Sequence, residues 1–409
     1  MKARLLFCLL TAFTLCANAQ GAWNLRDSIT GPGRYGAASF SVGNYGYVVA
    51  GYHTTALLND CWQYDPVTDT WSQQANFPGG MRWNCNGFSI GSFGYVSCGF
   101  SSVQNYTMFN DLWRYDPSTN SWLQRASLPA SGRWMAAAFA TGGKGYLGTG
   151  SSGTAYLQDF WEYDPSNNTW TQKQNFPYPI TLASSFDLNL KGYVLCGNDT
   201  TTVGISPSQN EIWEYDPALD SWTQKSNLPG SNRAGASTFT IGSLGYVTLG
   251  RGTGYPVDSW SYDPSTDTWS PVASFPSMGR WMTASFSIGN AGYITTGRRQ
   301  TKIVTQETWK FGIDINGFET AGQDQSAMTA FMSGGQFFIT NFPGTNIEPV
   351  VVKLYDAQGK LVSASGTVVL SAGMNTIDIG QPAMGIYFCV IENSSGPVCR
   401  AIRICVTSH

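Results

Sequence analysis

A motif of the form Trp-x-Tyr-Asp-Pro, followed five residues later by a second Trp, recurs along this chain. Its first copy is Trp62-Gln63-Tyr64-Asp65-Pro66 with Trp71. Full copies also begin at Trp113, Trp161, Trp213 and Trp260, and a weaker copy stands at Trp309. Consecutive first tryptophans are 47 to 52 residues apart. A period near fifty residues, made of short strands and turn signals, predicts blades repeated about a central axis.

Each repeat predicts four strands, which the second repeat illustrates. Residues 84–90 and 94–99 form a hairpin across a tight turn, and a variable loop follows at 100–110. Residues 112–115 and 121–125 form the outer two strands. The Asp116-Pro117 turn joins them, because Pro presets its φ angle and Asp can cap its own backbone.

The two ends of the repeat region are out of phase with this pattern. Trp23-Asn24-Leu25-Arg26 matches the outer strand but has no preceding blade, and the sixth repeat stops after its third strand, near Phe311. We therefore expect an all-β, six-bladed β-propeller over residues 20–312, closed by the N-terminal strand. Closure removes two exposed sheet edges.

The N-terminus has the pattern of a secretory signal peptide over residues 1–19. Lys2 and Arg4 precede an apolar run, and Ala17-Asn18-Ala19 is a small-x-small cleavage site. No later stretch reaches the length of a transmembrane helix, so no membrane span is expected after cleavage. The net charge is −3 and no Lys/Arg cluster occurs, which argues against nucleic acid as a partner.

The Gly-Tyr-Val-x-x-Gly segment, the long loop and the Trp-x-Tyr-Asp-Pro motif together resemble the kelch repeat. The resemblance covers about three quarters of the mature chain. It implies a propeller that binds proteins or glycans, since only a minority of kelch propellers carry enzyme sites.

Two sets of charged residues are expected on one face of the propeller. Following the meander, the segments before strand one and between strands two and three share a face, which we call the loop face; the opposite one is the turn face. Arginines precede strand one in five blades: Arg34, Arg82, Arg133, Arg233 and Arg280. Acids precede strand three in all six: Asp60, Asp111, Asp159, Glu211, Asp258 and Glu307.

Two interpretations of these arginines stand. In one they pair with the acids and brace the blades, since an Arg side chain reaches across two strands. In the other they form a ligand-binding mouth, as the kelch resemblance implies, together with Trp83, Trp134 and Trp281. Strand alternation offers those tryptophans a competing role in packing between blades. Blade four has Pro179-Ile180-Thr181 instead of the arginine, which predicts that Glu211 lacks its partner and marks a notch for ligand discrimination.

Catalytic interpretations have less support. The mature chain has only His53 and His409, too few for a copper or zinc site built on histidines, and we expect no metal and no cofactor. Residues 148–153 fit Gly-x-Gly-x-x-Gly but open no helix, so they do not predict a phosphate site. A carboxylate pair acting on carbohydrate stays open as an alternative.

A different β pattern follows the propeller. Residues 313–334 are predicted as a linker, and 335–409 as a small antiparallel β-sandwich. The run Leu354-Tyr355-Asp356-Ala357-Gln358-Gly359-Lys360, with later motifs near Gly373 and Gly385, resembles the C-terminal sorting domain of the type IX secretion system. That resemblance implies export to the outside of the cell, with the secretion machinery as a partner.

Nine cysteines become seven after cleavage of the signal peptide. Cys61, Cys85, Cys98 and Cys196 stand at blade positions that other blades fill with small or apolar residues, so we expect buried thiols. Cys389 and Cys399 flank a turn, and a disulfide between them is an open possibility. The whole pattern predicts a secreted or surface-attached, non-catalytic binding module for a glycan or protein.

Overall fold

The computed structural model describes residues 21–199 and 209–312 and, after these, 329–333, 336–340, 350–356, 361–368, 375–378, 385–393, 396–397 and 402–406. The described chain divides into a compact unit, Gly21–Gly312, and a second unit that contains the C-terminal strands. The predicted signal peptide lies outside the described residues.

The first unit is a ring of six four-stranded antiparallel sheets, and the first strands of neighbouring sheets contact one another all the way round. Blades one and two comprise Ala38–Val42, Tyr45–Tyr52, Leu57–Asp65 and Thr70–Gln74, then Asn86–Ile90, Phe93–Ser97, Leu112–Asp116 and Ser121–Arg125. Blades three and four comprise Ala137–Thr141, Lys144–Gly148, Phe160–Asp164 and Thr169–Lys173, then Ser184–Leu188, Lys191–Leu195, Ile212–Asp216 and Ser221–Gln224. Blades five and six comprise Ser237–Ile241, Leu244–Thr248, Ser259–Asp263 and Thr268–Val272, then Ala284–Ile288, Ala291–Thr295, Thr308–Gly312 and Ala22–Arg26. The predicted six-bladed, all-β fold is confirmed.

The N-terminal strand closes the ring, as predicted. Ala22–Arg26 pairs antiparallel with Thr308–Gly312, and Trp23 stands opposite Phe311. The Trp23 indole also packs edge-on against Phe275, with ring centroids 5.1 Å apart. The first and last strands of the propeller therefore share one sheet.

The closing Trp of each repeat joins its blade to the preceding one. Its indole N–H donates to a backbone carbonyl of the preceding blade. The acceptor lies one or two residues after the outer strand of that blade. The six bonds run from Trp71 to Asp27, Trp122 to Ala75, Trp170 to Ala126, Trp222 to Gln174, Trp269 to Ser226 and Trp23 to Ala273, at 2.6–3.1 Å. Because every blade interface uses the same bond, this tryptophan recurs with the period of the blades.

The glycine of Gly-Tyr-Val makes room for the neighbouring blade. Phe40 of strand one lies against Gly94 of blade two, where a Cβ would collide with the phenyl ring. The same contact recurs at Phe88/Gly145, Phe139/Gly192, Phe186/Gly245, Phe239/Gly292 and Phe286/Gly46. A side chain at this glycine would push the blades apart, which explains its recurrence.

The four propeller cysteines are buried free thiols. Burial raises the pKa of Cys85 and of Cys98 to about 11 and that of Cys196 to about 12, while burial also raises the pKa of Cys61. They are protonated at neutral pH and fill space between strands, as predicted. Cys399 and the side chain of Cys389 lie outside what the structure describes, so their disulfide stays a prediction.

The described strands of the C-terminal unit form two antiparallel sheets. One has Thr329–Ser333, Gln336–Thr340 and Asn375–Ile377, and the other has Val350–Asp356, Leu361–Val368, Gly385–Asn393, Gly396–Pro397 and Ile402–Val406. Thr329–Ser333 differs from the sequence-based expectation, since it lies inside the predicted linker. It pairs antiparallel with Gln336–Thr340, so paired strands begin before residue 335, the predicted start of the sandwich. Among the residues described, no helix is long and apolar enough to cross a bilayer.

Candidate functional site

The predicted loop face exists, and short bridges hold its segments together. Backbone pairs join the segment before strand one to the segment after strand two, for example Tyr35 with Tyr52 and Trp83 with Phe100. In blade six Arg280–Trp281 pairs with Arg298–Arg299. The residues on either side of strands one and two are therefore fixed relative to one another.

All five predicted arginines are buried and bound to the acids of strand three. Their side chains are at most 1% exposed. The ion pairs are Arg34–Asp60, Arg82–Asp111, Arg133–Asp159, Arg233–Asp258 and Arg280–Glu307, at 2.5–2.8 Å. Burying a charge is costly unless it is paired and hydrogen-bonded, and these groups meet both conditions.

The first Trp of the motif completes each cluster. Its indole N–H donates to the same acid, as in Trp62 to Asp60 at 2.7 Å and Trp161 to Asp159 at 2.7 Å. In four blades the guanidinium group also donates to the backbone carbonyl at the end of strand two, at Ala50, Cys98, Thr149 and Leu249. This geometry favours the bracing interpretation, because a guanidinium group without exposed surface can contact a ligand only if its ion pair opens.

Three of the acids are held firmly in the charged form. Burial alone would raise the pKa of Asp159 and Asp258, but hydrogen bonds and attraction from Arg133 and Arg233 outweigh it and lower both. For Glu307 the same balance, with Arg280, lowers the pKa to about 2. Carboxylates of this kind do not donate protons near neutral pH, so they are unsuited to act as a general acid.

Blade four replaces the arginine with a phenol. The Tyr178 hydroxyl donates to Glu211 Oε2 at 2.6 Å, and the Trp213 indole donates to the same oxygen at 3.0 Å. Glu211 therefore has hydrogen-bond partners, contrary to the expectation from the missing arginine. It remains the only one of the six acids without an arginine partner among the described residues.

The tryptophans that follow the arginines form an aromatic surface on blades one to three. Trp83 packs against Trp134 and against Tyr35, each with centroids 5.4 Å apart, and Phe100 packs against Trp134 at 5.1 Å. Tyr52 completes the set, 5.6 Å from Trp83. We call these five residues the aromatic arc.

Trp281 joins the same apolar cluster from blade six. The guanidinium of Arg251 lies 5.0 Å from the Trp281 ring, and that of Arg298 lies 5.4 Å from the Tyr35 ring. Cations at this distance from an aromatic face are attracted to it. The loop face thus places cationic side chains directly beside aromatic ones.

A closed ring of backbone hydrogen bonds surrounds the axis at this face, which the sequence analysis did not foresee. Six residues, one per blade, each donate a backbone N–H to the carbonyl of the preceding ring member at 2.6–3.4 Å, and Gly36 closes the ring by donating to Met282: Gly36, Asn84, Met135, Leu182, Gly235 and Met282. All six have φ between +48° and +63°. Four are not glycine, so the ring imposes a left-handed backbone that such residues rarely adopt.

Three buried N–H donors near this ring have no hydrogen-bond partner within the described chain: Trp134 Nε1, Trp281 Nε1 and Asn84 Nδ2. Asn84 and Trp281 are only 7% and 8% exposed. Buried polar groups in native proteins are nearly always hydrogen-bonded, so three such donors at one mouth need an explanation. The residues in these segments contain no group of three or more His, Cys, Asp or Glu side chains suited to a metal, and the same holds for the rest of the described chain.

Comparison with known families agrees with this architecture. Residues 33–78 match the model of the Kelch motif, and residues 334–404 match that of the secretion system C-terminal sorting domain. The fold resembles the solved structure titled "Structure of YjhT", with a TM-score of 0.58 and 18% identity over 69% of this chain and 96% of that chain. A comparison with curated proteins gives no match.

The fold and the motifs define the class: a kelch-repeat β-propeller of six blades. The chain is a kelch propeller protein with a C-terminal sorting domain of the type IX secretion system, and it is exported to the cell surface or the extracellular space.

Removal of residues 335–409 is expected to stop this export. A chain without its sorting domain lacks the segment that engages the type IX machinery, so it should accumulate inside the outer membrane. Fractionation and immunoblotting, with a periplasmic marker as control, measure the distribution. Equal amounts of full-length and truncated protein outside the cell would contradict this role.

Proposed function

We propose that the propeller is a non-catalytic binding module that takes an extracellular glycan or protein on its loop face. The proposal rests on the part-exposed rings of Trp83 and Trp134, beside which the indole N–H groups of Trp134 and Trp281 have no hydrogen-bond partner among the described residues. An unmade hydrogen bond of this kind costs about 1–3 kcal/mol, and a ligand that presents oxygen acceptors recovers that cost if the indole ring turns to expose its N–H.

The aromatic arc supports the same proposal. Tyr52, Trp83 and Trp134 are part-exposed neighbouring rings beside the donors, and such rings suit stacking on the apolar face of a sugar. Exposed apolar side chains nearby suit a protein ligand as well. Tyr106 is 76% exposed on the blade-two loop, and Tyr156 is 54% exposed on the blade-three loop.

In this proposal the arginines stabilise the site and do not contact the ligand. Arg82, Arg133 and Arg280 come directly before Trp83, Trp134 and Trp281 in the chain, and their ion pairs fix the backbone from which these tryptophans project. A ligand would then contact the tryptophans, while the arginines hold the mouth in shape. Arg34 and Arg233 hold the same position in blades one and five.

Replacing Trp134 or Trp281 with Phe is expected to weaken binding about tenfold while the fold is retained. Phe keeps an aromatic ring and removes the N–H donor, and a lost hydrogen bond to a ligand is worth about 1 kcal/mol or more. A glycan array and a peptide array, both probed with the full mature chain, identify a ligand, and titration calorimetry then measures each variant.

Trp170→Phe is the matched control. Its indole donates to the Ala126 carbonyl at 2.8 Å, at a blade interface away from the mouth. It should lose some stability and bind normally. Full affinity in both Trp134→Phe and Trp281→Phe would contradict the proposal, as would an equal loss in Trp170→Phe.

The alternative is a carbohydrate-active enzyme at the same face, and Glu211 favours it. It is the one acid of the six that lacks an arginine counter-ion among the described residues. A catalytic carboxylate must stay free to react, whereas a bracing carboxylate is held in an ion pair, so the missing arginine suits a catalytic role. Incubation of array-positive glycans with the chain separates the two functions. Product release that disappears in Glu211→Gln supports an enzyme, and binding without turnover supports a binding module.

A further inference from the structure

The central channel carries polar side chains that the loop-face proposal does not use. The first strands of the six blades line it, and small residues face it because six strands converge there. Toward the turn face, the matching positions in the six blades are Ser41, Ser89, Ala140, Asp187, Thr240 and Ser287. This part of the channel has a volume of about 250 Å³.

Blade four departs from the other five by placing a carboxylate in this layer. Hydroxyl groups of the channel bond to the neighbouring blade, as Ser185 does to the Ala138 carbonyl at 2.7 Å and Ser89 to the Ser41 carbonyl at 2.5 Å. Such bonds stabilise the contact between first strands. Asp187 makes no such bond to another described residue, so interblade contact does not account for it.

Asp187 also lacks a counter-ion in the described chain. Lys191, on the adjacent strand, has its ammonium bound by Glu214 at 2.7 Å and by Asp216 at 3.3 Å. The Asp187 carboxylate reaches channel water, but the channel walls remove much of its hydration. The Asp187 side chain is solvent-exposed within the channel, and desolvation by the surrounding channel walls raises its pKa to about 6, with no neighbouring charge among the causes.

The channel opens at the end where Asp187 lies. At the loop-face end it is lined by the ring of six hydrogen-bonded residues described above. At the turn face its rim is formed by Asp187, Leu190 and the turns at Gly91 and Gly142, where nothing lies within 4 Å of a Cβ built on either glycine. A small molecule can therefore approach Asp187 from the turn face.

We propose that this turn-face pocket binds a small molecule through its primary ammonium group, with Asp187 as the counter-ion. One carboxylate balances one positive charge, and the described residues supply no further carboxylate cluster that would suit a divalent metal. An ammonium group donates up to three hydrogen bonds, here to the carboxylate and to the Thr240 hydroxyl oxygen of the neighbouring blade five, with water taking the remainder.

The pocket differs in place and chemistry from the loop-face site. It lies at the other end of the channel, its polar groups are hydroxyls and a carboxylate, and it selects a cation. Binding there is independent of whether the loop face takes a glycan or a protein.

Titration of the full mature chain with n-butylamine, followed by NMR or calorimetry at a pH well above 6, tests the proposal, and n-butanol serves as the neutral probe. Wild-type protein should bind butylammonium and not butanol. Asp187→Ser, which gives blade four the residue of blades one, two and six, should fold normally and lose at least about tenfold in affinity. Lowering the pH below 6 should weaken binding in the wild type only.

Asp65→Asn is the matched control, since Asp65 lies on the turn face outside the channel and its Oδ1 accepts the Val67 N–H, which Asn can also do. It should bind as the wild type does. Equal affinity in Asp187→Ser, equal binding of butanol, or no detectable binding of butylamine by the wild type would each overturn the proposal. Asp187-dependent binding of Ca²⁺ in place of the amine would overturn it as well.

Discussion

Replacement of Arg133 with Ala is expected to lower the free energy of unfolding of the propeller by about 3 kcal/mol or more. The change leaves Asp159 charged and without its bidentate partner, and breaking a buried ion pair costs about 3–5 kcal/mol. Asp159 is 21% exposed in its side chain, so the lower end of that range applies. Urea denaturation followed by tryptophan fluorescence measures the loss.

Arg125→Ala is the control for this experiment. Arg125 lies on the outer strand of blade two and donates to the Tyr163 hydroxyl at 3.1 Å, without an ion pair among the described residues. Its loss should cost about 1 kcal/mol or less. Unchanged stability in Arg133→Ala together with lost ligand binding would instead assign the arginine a direct ligand contact.

Removal of residues 21–26 is expected to open the propeller and make it associate. The deletion leaves Thr308–Gly312 as an unpaired edge strand and uncovers Phe311 and Phe275, and exposed edges of this kind pair with other chains. Size-exclusion chromatography should show oligomers or aggregate, and urea denaturation should show a broad transition at lower denaturant.

A point variant separates the closing strand from its side chains. Trp23→Ala keeps the strand but removes the ring that packs on Phe239, Phe275 and Phe311, and should cost about 3 kcal/mol. Leu25→Ala on the same strand, at a residue 58% exposed, should cost little. A monomeric, fully stable protein after the deletion would contradict closure by this strand.

The repeat explains why so much of the fold can be predicted. Trp71, Tyr64 and Asp69 each make a contact within their blade or to the preceding one, so the same or closely similar residues return along the repeats. The unfinished sixth repeat, together with the unmatched strand at Trp23, indicates closure before any coordinates are known. These signals are patterns of strand alternation and turn residues, and each pattern involves residues that are close together in the sequence.

Other features depend on contacts that no local pattern contains. The sequence places Arg133 and Asp159 on one face, but whether the guanidinium group points to solvent or into the blade is decided by packing around it. Glu211 lacks the arginine partner found in the other blades. Only the folded chain shows that the hydroxyl of Tyr178, 33 residues earlier, donates a hydrogen bond to it instead.

The sequence by itself determines the number of blades, the strand that closes the ring, the face that carries the long loops and the sorting domain at the C-terminus. The tertiary structure alone decides which donors remain without partners, such as Trp134 Nε1, and which carboxylate lies without a counter-ion in the channel, Asp187. The physical reason is that strands and turns arise from neighbours in the chain, whereas burial and hydrogen-bond satisfaction arise only where separate blades meet.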